Sequence, residues 1–175
     1  MVGRMSIKFC RIDKMNNELN FREIRFVERP KAIPYNYRIS YRIAQIVLII
    51  GKTVIRGGCS FLKIQIISQA LKSNENFKEL VNFANEQSLF SNIIKFDPAI
   101  NKAIEYALAD KILVKQKDGK FKLTTLGKEI YKEIEKDENL MCREKKNIKE
   151  ISGKISEDKI KEILDIWRNY SAKNK

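Results

Sequence analysis

The sequence contains no histidine. That removes the usual general base near neutral pH and the commonest metal ligand. Its cysteines, Cys10, Cys59 and Cys142, lie far apart and form no CxxC pair. An odd, widely spaced set argues against a zinc site and against a disulfide framework. It reads as reduced, structural thiols of a cytoplasmic protein. Glycine and proline are scarce, at 7 and 3 residues, so disordered linkers are not expected to dominate. No glycines stand at phosphate-loop spacing. The longest apolar run, Ile43 to Ile50, is broken by Gln45 and falls well short of the roughly 20 residues of a membrane span. Met1 to Asp13 holds no apolar stretch with a small-residue cleavage site, so no signal peptide is expected, and Met5 and Met15 are alternative starts. With no histidine, acid–base chemistry would fall to carboxylates or a perturbed lysine, and the acidic residues lie mostly on polar helix faces. No catalytic residue, no cofactor and no metal is therefore expected.

What is present suits a globular chain. Its 175 residues are 43% hydrophobic and 33% charged, enough for one domain with a real core and flanking extensions. The net charge is +13, which points to an acidic partner such as nucleic acid. Surplus lysine beside abundant isoleucine and asparagine also follows from AT-rich coding, so the location of the charge matters more than its sum. Residues 1–42 carry 10 Lys/Arg against 4 Asp/Glu, residues 43–111 carry 8 against 6, and residues 112–175 carry 17 against 12. The ends are basic and the middle is nearly balanced.

Residues 1–33 show no sustained period, and Asn20 to Glu28 reads as a short strand or extended arm stopped by Pro30 and Pro34. From Tyr37 to Ile50 a helix is apolar over most of its circumference, which predicts burial at the domain centre. Gly51 can end it, and Gly57-Gly58 marks a turn. Ser60 caps a second helix with Leu62, Ile66, Ile67, Ala70 and Leu71, and a third carries Phe77, Leu80, Val81 and Ala84. Asp97-Pro98 is the sharpest start signal: the carboxylate accepts from orphan N–H groups, and Pro has no N–H to lose at the first helical position. Leu113 to Lys117 and Phe121 to Leu123 then read as strands about a two-residue Asp118-Gly119 turn with positive φ at both positions. Thr124 or Thr125 caps a helix with Leu126, Ile130, Tyr131 and Ile134 on its apolar face. Helix, helix, helix, hairpin, helix is the order of a winged helix. Asp137 to Glu150 is charged on nearly all sides and reads as a solvated helix or linker, and Ser156 opens a last amphipathic helix. The expected fold class is mainly α (α+β): an N-terminal arm over 1–33, a winged-helix domain with a β-hairpin wing over 34–136, and a C-terminal helical extension over 137–175.

Candidate sites follow from charge and position. The hairpin carries Lys115, Lys117, Lys120 and Lys122 against Asp118, a patch able to hold phosphate without reading sequence. The alternative is a solvated lysine-rich hairpin that blunts a sheet edge. Arg38 and Arg42, one helical turn apart, either face phosphate or simply open the first core helix. The helix in the recognition position is neutral: Lys102 and Lys111 stand against Glu105 and Asp110, and Asn101 is its only base-reading side chain. Asn101, Lys102 and Glu105 are therefore candidates for partner contact rather than for sequence readout. Trp167 and Tyr170 on the last helix are either core or a helix-in-groove anchor.

Four stretches resemble one family: Pro34-Tyr35-Asn36-Tyr37-Arg38-Ile39, Phe61-Leu62-Lys63 through Ala70-Leu71-Lys72, Phe96-Asp97-Pro98-Ala99-Ile100-Asn101-Lys102-Ala103, and Gly119 to Gly127. Together they are similar to the small middle component of ABC-three-component systems, including Lamassu-type anti-phage defence. The resemblance spans about residues 34–134, and its last piece is shared by many winged-helix proteins. It implies a non-enzymatic bridge between an SMC-like ATPase and an effector nuclease, and the basic flanks read from the sequence add a non-specific DNA contact, with no membrane partner expected. It carries over no catalytic residue. The runner-up reading is a stand-alone winged-helix transcription regulator, which would need a basic recognition helix. An adaptor or toxin–antitoxin-like binding module with no DNA role is a third.

Overall fold

The computed structural model describes residues 5–12, 19–26, 38–54, 57–86 and 96–173, with side chains described from Arg38 onward except at 167 and 170–173. The chain falls into two compact units, Met1–Pro34 and Tyr35–Lys175.

In the first unit, β1 (Met5–Ile12) pairs antiparallel with β2 (Leu19–Phe26), in register from Met5↔Phe26 to Ile12↔Leu19. The expected arm is therefore a hairpin. Met5, Ile7 and Phe9 alternate with Ser6 and Lys8, a period-two signal masked in a reading of residues 1–33 as a whole.

The second unit is a small α-helical domain with a two-stranded antiparallel hairpin. Its centre is α1 (Ile39–Thr53), in which Ile46 to Ile50 are all buried. Five consecutive buried residues require neighbours on every side, and α1 meets α2 (Phe61–Ala70), α4 (Pro98–Ala109), α5 (Thr125–Lys136) and α6 (Cys142–Ile151). Side-chain caps begin α2, α4 and α5 where the sequence reading expects them. Ser60 accepts from the Lys63 N–H at 3.2 Å, Asp97 from Ala99 at 2.9 Å, and Thr124 from Gly127 at 3.1 Å. Each such cap stabilises by about 1 kcal/mol. α3 (Asn74–Ala84) is capped by Ser73. Four helices precede the hairpin among the described residues, at the four places where the sequence reads as helix and one more than the winged-helix order has.

β3 (Leu113–Lys115) and β4 (Phe121–Leu123) pair in register Leu113↔Leu123. The turn departs from the two-residue expectation. Gly119 N–H donates to the Gln116 carbonyl at 3.0 Å and Gln116 N–H to the Lys120 carbonyl at 2.8 Å. The loop is thus three residues, 117–119, and only Gly119, at φ +82°, is left-handed there. This is a type I turn closed by a glycine bulge. Cys59, between α1 and α2, extends the sheet: its N–H donates to the Phe121 carbonyl at 2.9 Å, and Phe121 N–H returns the bond at 2.8 Å.

The stretch read as a solvated helix or linker is packed. α6 buries Ile148 and Ile151 and meets α1 and α3. Its inward stripe runs Met141, Glu144, Ile148, Ile151, and the glutamate in second place disguised it. Glu144 is tolerated because its carboxylate accepts from Tyr41 Oη at 2.8 Å and from Arg143 Nη2 at 3.3 Å. α7 (Glu157–Lys173) docks through Ile160 and Ile163, and its Lys159 donates to the Ala84 carbonyl at the end of α3 at 2.9 Å. No helix among the described residues is long and apolar enough to cross a membrane.

Candidate nucleic-acid and partner interface

Asp97 is the polar centre of the domain. One carboxylate oxygen caps α4; the other meets Arg42 Nη2 at 3.2 Å and Lys72 Nζ at 3.0 Å. Burial pushes this carboxyl up. The hydrogen bonds from Lys72 and Ala99 N–H and the charges of Lys72 and Arg42 outweigh it and hold Asp97 below the usual carboxylate range. Gln65 completes the set: its Oε1 accepts from Asp97 N–H at 3.0 Å, and its Nε2 donates to Asn101 Oδ1 at 2.6 Å. Three helices, α1, α2 and α4, are thus tied at Asp97, α2 through its backbone N–H and the other two through its carboxylate. The Phe96 to Asn101 stretch has a structural meaning: Asp97 caps and pairs, Pro98 opens the helix, Ile100 is buried and Asn101 is bound.

This geometry separates the expected arginine pair. Arg38 is exposed, whereas Arg42 is 3% exposed and held by Asp97 and by Gln45 Oε1 at 3.0 Å. Arg42 as a phosphate contact is corrected: its guanidinium is consumed inside the fold. Neither Gln65 nor Lys72 was singled out from sequence, since both lie at least 25 residues from Asp97 and nothing local marks them.

The outward face of α4 carries an exposed ion pair. Lys102 Nζ pairs with Glu105 at 2.7 Å, and Asn101 is turned to Gln65. Tyr106, one turn beyond Lys102, is 54% exposed and was missed from sequence. Phe96, half exposed, stacks on Phe61 with ring centroids 6.1 Å apart. This face offers aromatic surface and a neutralised ion pair, the chemistry of protein contact.

The hairpin differs. Lys115 and Lys117 are exposed, and Lys122 is half-buried; among the described residues none of the three has an acidic partner. Lys120 pairs with Asp118 at 3.3 Å, so the patch is weaker by one free cation than its lysine count. The register places Lys115 opposite Phe121 and Val114 opposite Lys122, so Lys115 and Lys122 stand on opposite faces. The side chains of Trp167 and Tyr170 lie outside the described residues, although the backbone of both is in α7.

Burial pushes the Cys59 thiol up to about 12, and Cys142 is exposed. Among the described residues no group of three or more Cys, Asp or Glu side chains converges as a metal site. Comparison with family models, with curated proteins and with solved structures yields no match.

Proposed function

We propose that this chain is a winged-helix bridging subunit that binds partners and does no chemistry. It joins an SMC-like ATPase to an effector nuclease in an anti-phage defence complex, with its hairpin resting on DNA non-specifically. The Cys59–Phe121 pairing supports the winged-helix part: a short strand between the first two helices adds to the hairpin, and α4 then occupies the recognition position. On this reading α3 is an addition between the two.

One observation carries the function. The recognition-position helix has spent its Asn101 on Gln65 and its Lys102 on Glu105, while the free cations sit on the hairpin. A helix reading the major groove needs free bidentate donors and flanking cations. α4 keeps Tyr106 outward instead. Partner contact is assigned to α4, and phosphate contact to Lys115, Lys117 and Lys122, with Arg38 at the start of α1.

Two variants test the division. Tyr106→Glu is expected to abolish recovery of the ATPase from the native host and leave DNA affinity unchanged. Lys115→Gln with Lys117→Gln is expected to weaken duplex binding and leave that recovery intact. Loss of sequence-specific DNA binding by Tyr106→Glu would overturn the assignment in favour of a regulator.

A further inference from the structure

A cleft of about 410 Å³ opens between the end of α1, β4 and α5. Ile50, Val54, Leu123 and Tyr131 give it apolar walls, and Lys122 and Lys128 complete its lining. Tyr131 is placed deliberately: its ring lies against Gly51, where a Cβ would overlap the ring carbons. Gly51 sits inside a helix, where glycine costs about 1 kcal/mol against alanine, so the close seat of the ring is the reason for it.

The charges around the cleft are sorted. Lys52, nearby on α1, is consumed by Glu135 at 2.6 Å. Lys122 and Lys128 have no acidic partner among the described residues. Two free cations beside an apolar, partly aromatic wall match an anion joined to a flat apolar body. A nucleotide has that chemistry: phosphate for the lysines, base and sugar for the wall. The volume lies in the range of small-ligand sites and suits about one nucleotide. Base-paired nucleotides are stacked and cannot present a free face to such a wall, whereas an unpaired one can.

We propose that this cleft seats an unpaired nucleotide of a DNA strand, at an end or a gap, beside the hairpin that holds the flanking phosphates. The proposal rests on the reading of the hairpin as a DNA contact. It gives the protein a preference for strand discontinuity without any sequence preference.

The test is lysine acetylation footprinting of the full chain, read by mass spectrometry, with fluorescence anisotropy on the same probes. The probes are a single-stranded 12-mer, a duplex with a single-stranded overhang and a blunt duplex. The single strand and the overhang are expected to bind at least about fivefold tighter than the blunt duplex. They should protect Lys122 and Lys128 while the exposed Lys132 and Lys136 of α5 stay reactive. Lys122→Gln with Lys128→Gln should remove that preference and lower the single-strand salt slope by about 0.7, the value for one phosphate contact. An unchanged thermal melt would show that the variant is folded, and the footprint needs no variant at all. Protection confined to Lys115 and Lys117 would overturn the cleft and leave the hairpin contact standing. No protection and no binding would overturn both. A free nucleoside monophosphate that protects Lys122 and Lys128 as tightly as the strand does would replace the strand with a small ligand.

Discussion

Asp97 shows how much a single side chain can be asked to do. Its carboxylate caps α4 and neutralises Arg42, a cation with almost no access to water. Removing the carboxylate leaves that cation without its charged partner, which costs far more than the pair itself contributes. Asp97→Ala is expected to lower unfolding free energy by about 3–5 kcal/mol, the range for breaking a buried pair. Urea denaturation measures it, and a loss near the 1 kcal/mol of a cap alone would contradict the account. The pH dependence follows from the lowered carboxyl value of the folded state. The contribution of Asp97 is complete above the unfolded value of about 3.9 and is lost as pH falls through the lower folded one. Wild type should therefore lose stability in acid more steeply than Asp97→Asn. The thiols differ in the same local way: Cys142 is exposed, whereas Cys59 is buried and stays protonated at neutral pH. Site-resolved alkylation at pH 7 should modify Cys142 in the native protein and Cys59 only after denaturation.

Elements were legible where a local device makes them. Asp97-Pro98 announced α4, and Ser60 and Thr124 announced α2 and α5, because a cap acts within three residues of itself. Asp118-Gly119 announced the hairpin but not its loop length, since a bulge is decided by how the strands pair beyond the turn. α6 was not legible as a packed element, because its buried Glu144 is paid for by Tyr41, 103 residues away. The candidate site divides alike. The hairpin lysines were visible as charge, but Asp97 taking Arg42 and Gln65 taking Asn101 are tertiary events, and Asp118 takes Lys120 only through the geometry of the three-residue turn. Two glycines separate backbone freedom from close approach. A Cβ at Gly127 would overlap the Ile112 carbonyl oxygen, and no rotamer can relieve that. Gly127→Ala should cost about 2 kcal/mol. Gly119 has open space and needs only its positive φ, so Gly119→Ala should cost about 1 kcal/mol. Equal losses in denaturation would contradict the packing assigned to the start of α5.

At the scale of the whole molecule, the net charge of +13 is unevenly available. Some of its Lys and Arg side chains pair with Asp97, Glu135, Asp118 and Glu105, whereas Lys115, Lys117 and Lys128 are exposed with no acidic partner among the described residues. Replacing Lys115 and Lys117 by glutamine should lower the duplex salt slope by about 1.8, at about 0.9 per phosphate contact. A slope that does not change would remove the hairpin from the DNA surface. The proposed bridge between an ATPase and an effector is tested by recovering the tagged chain from its native host with and without nuclease treatment, read by mass spectrometry. The account predicts an SMC-like ATPase and a nuclease that stay bound after nucleic acid is digested. Recovery of the chain alone as a homo-oligomer, with tight salt-sensitive binding to one short DNA sequence, would contradict it.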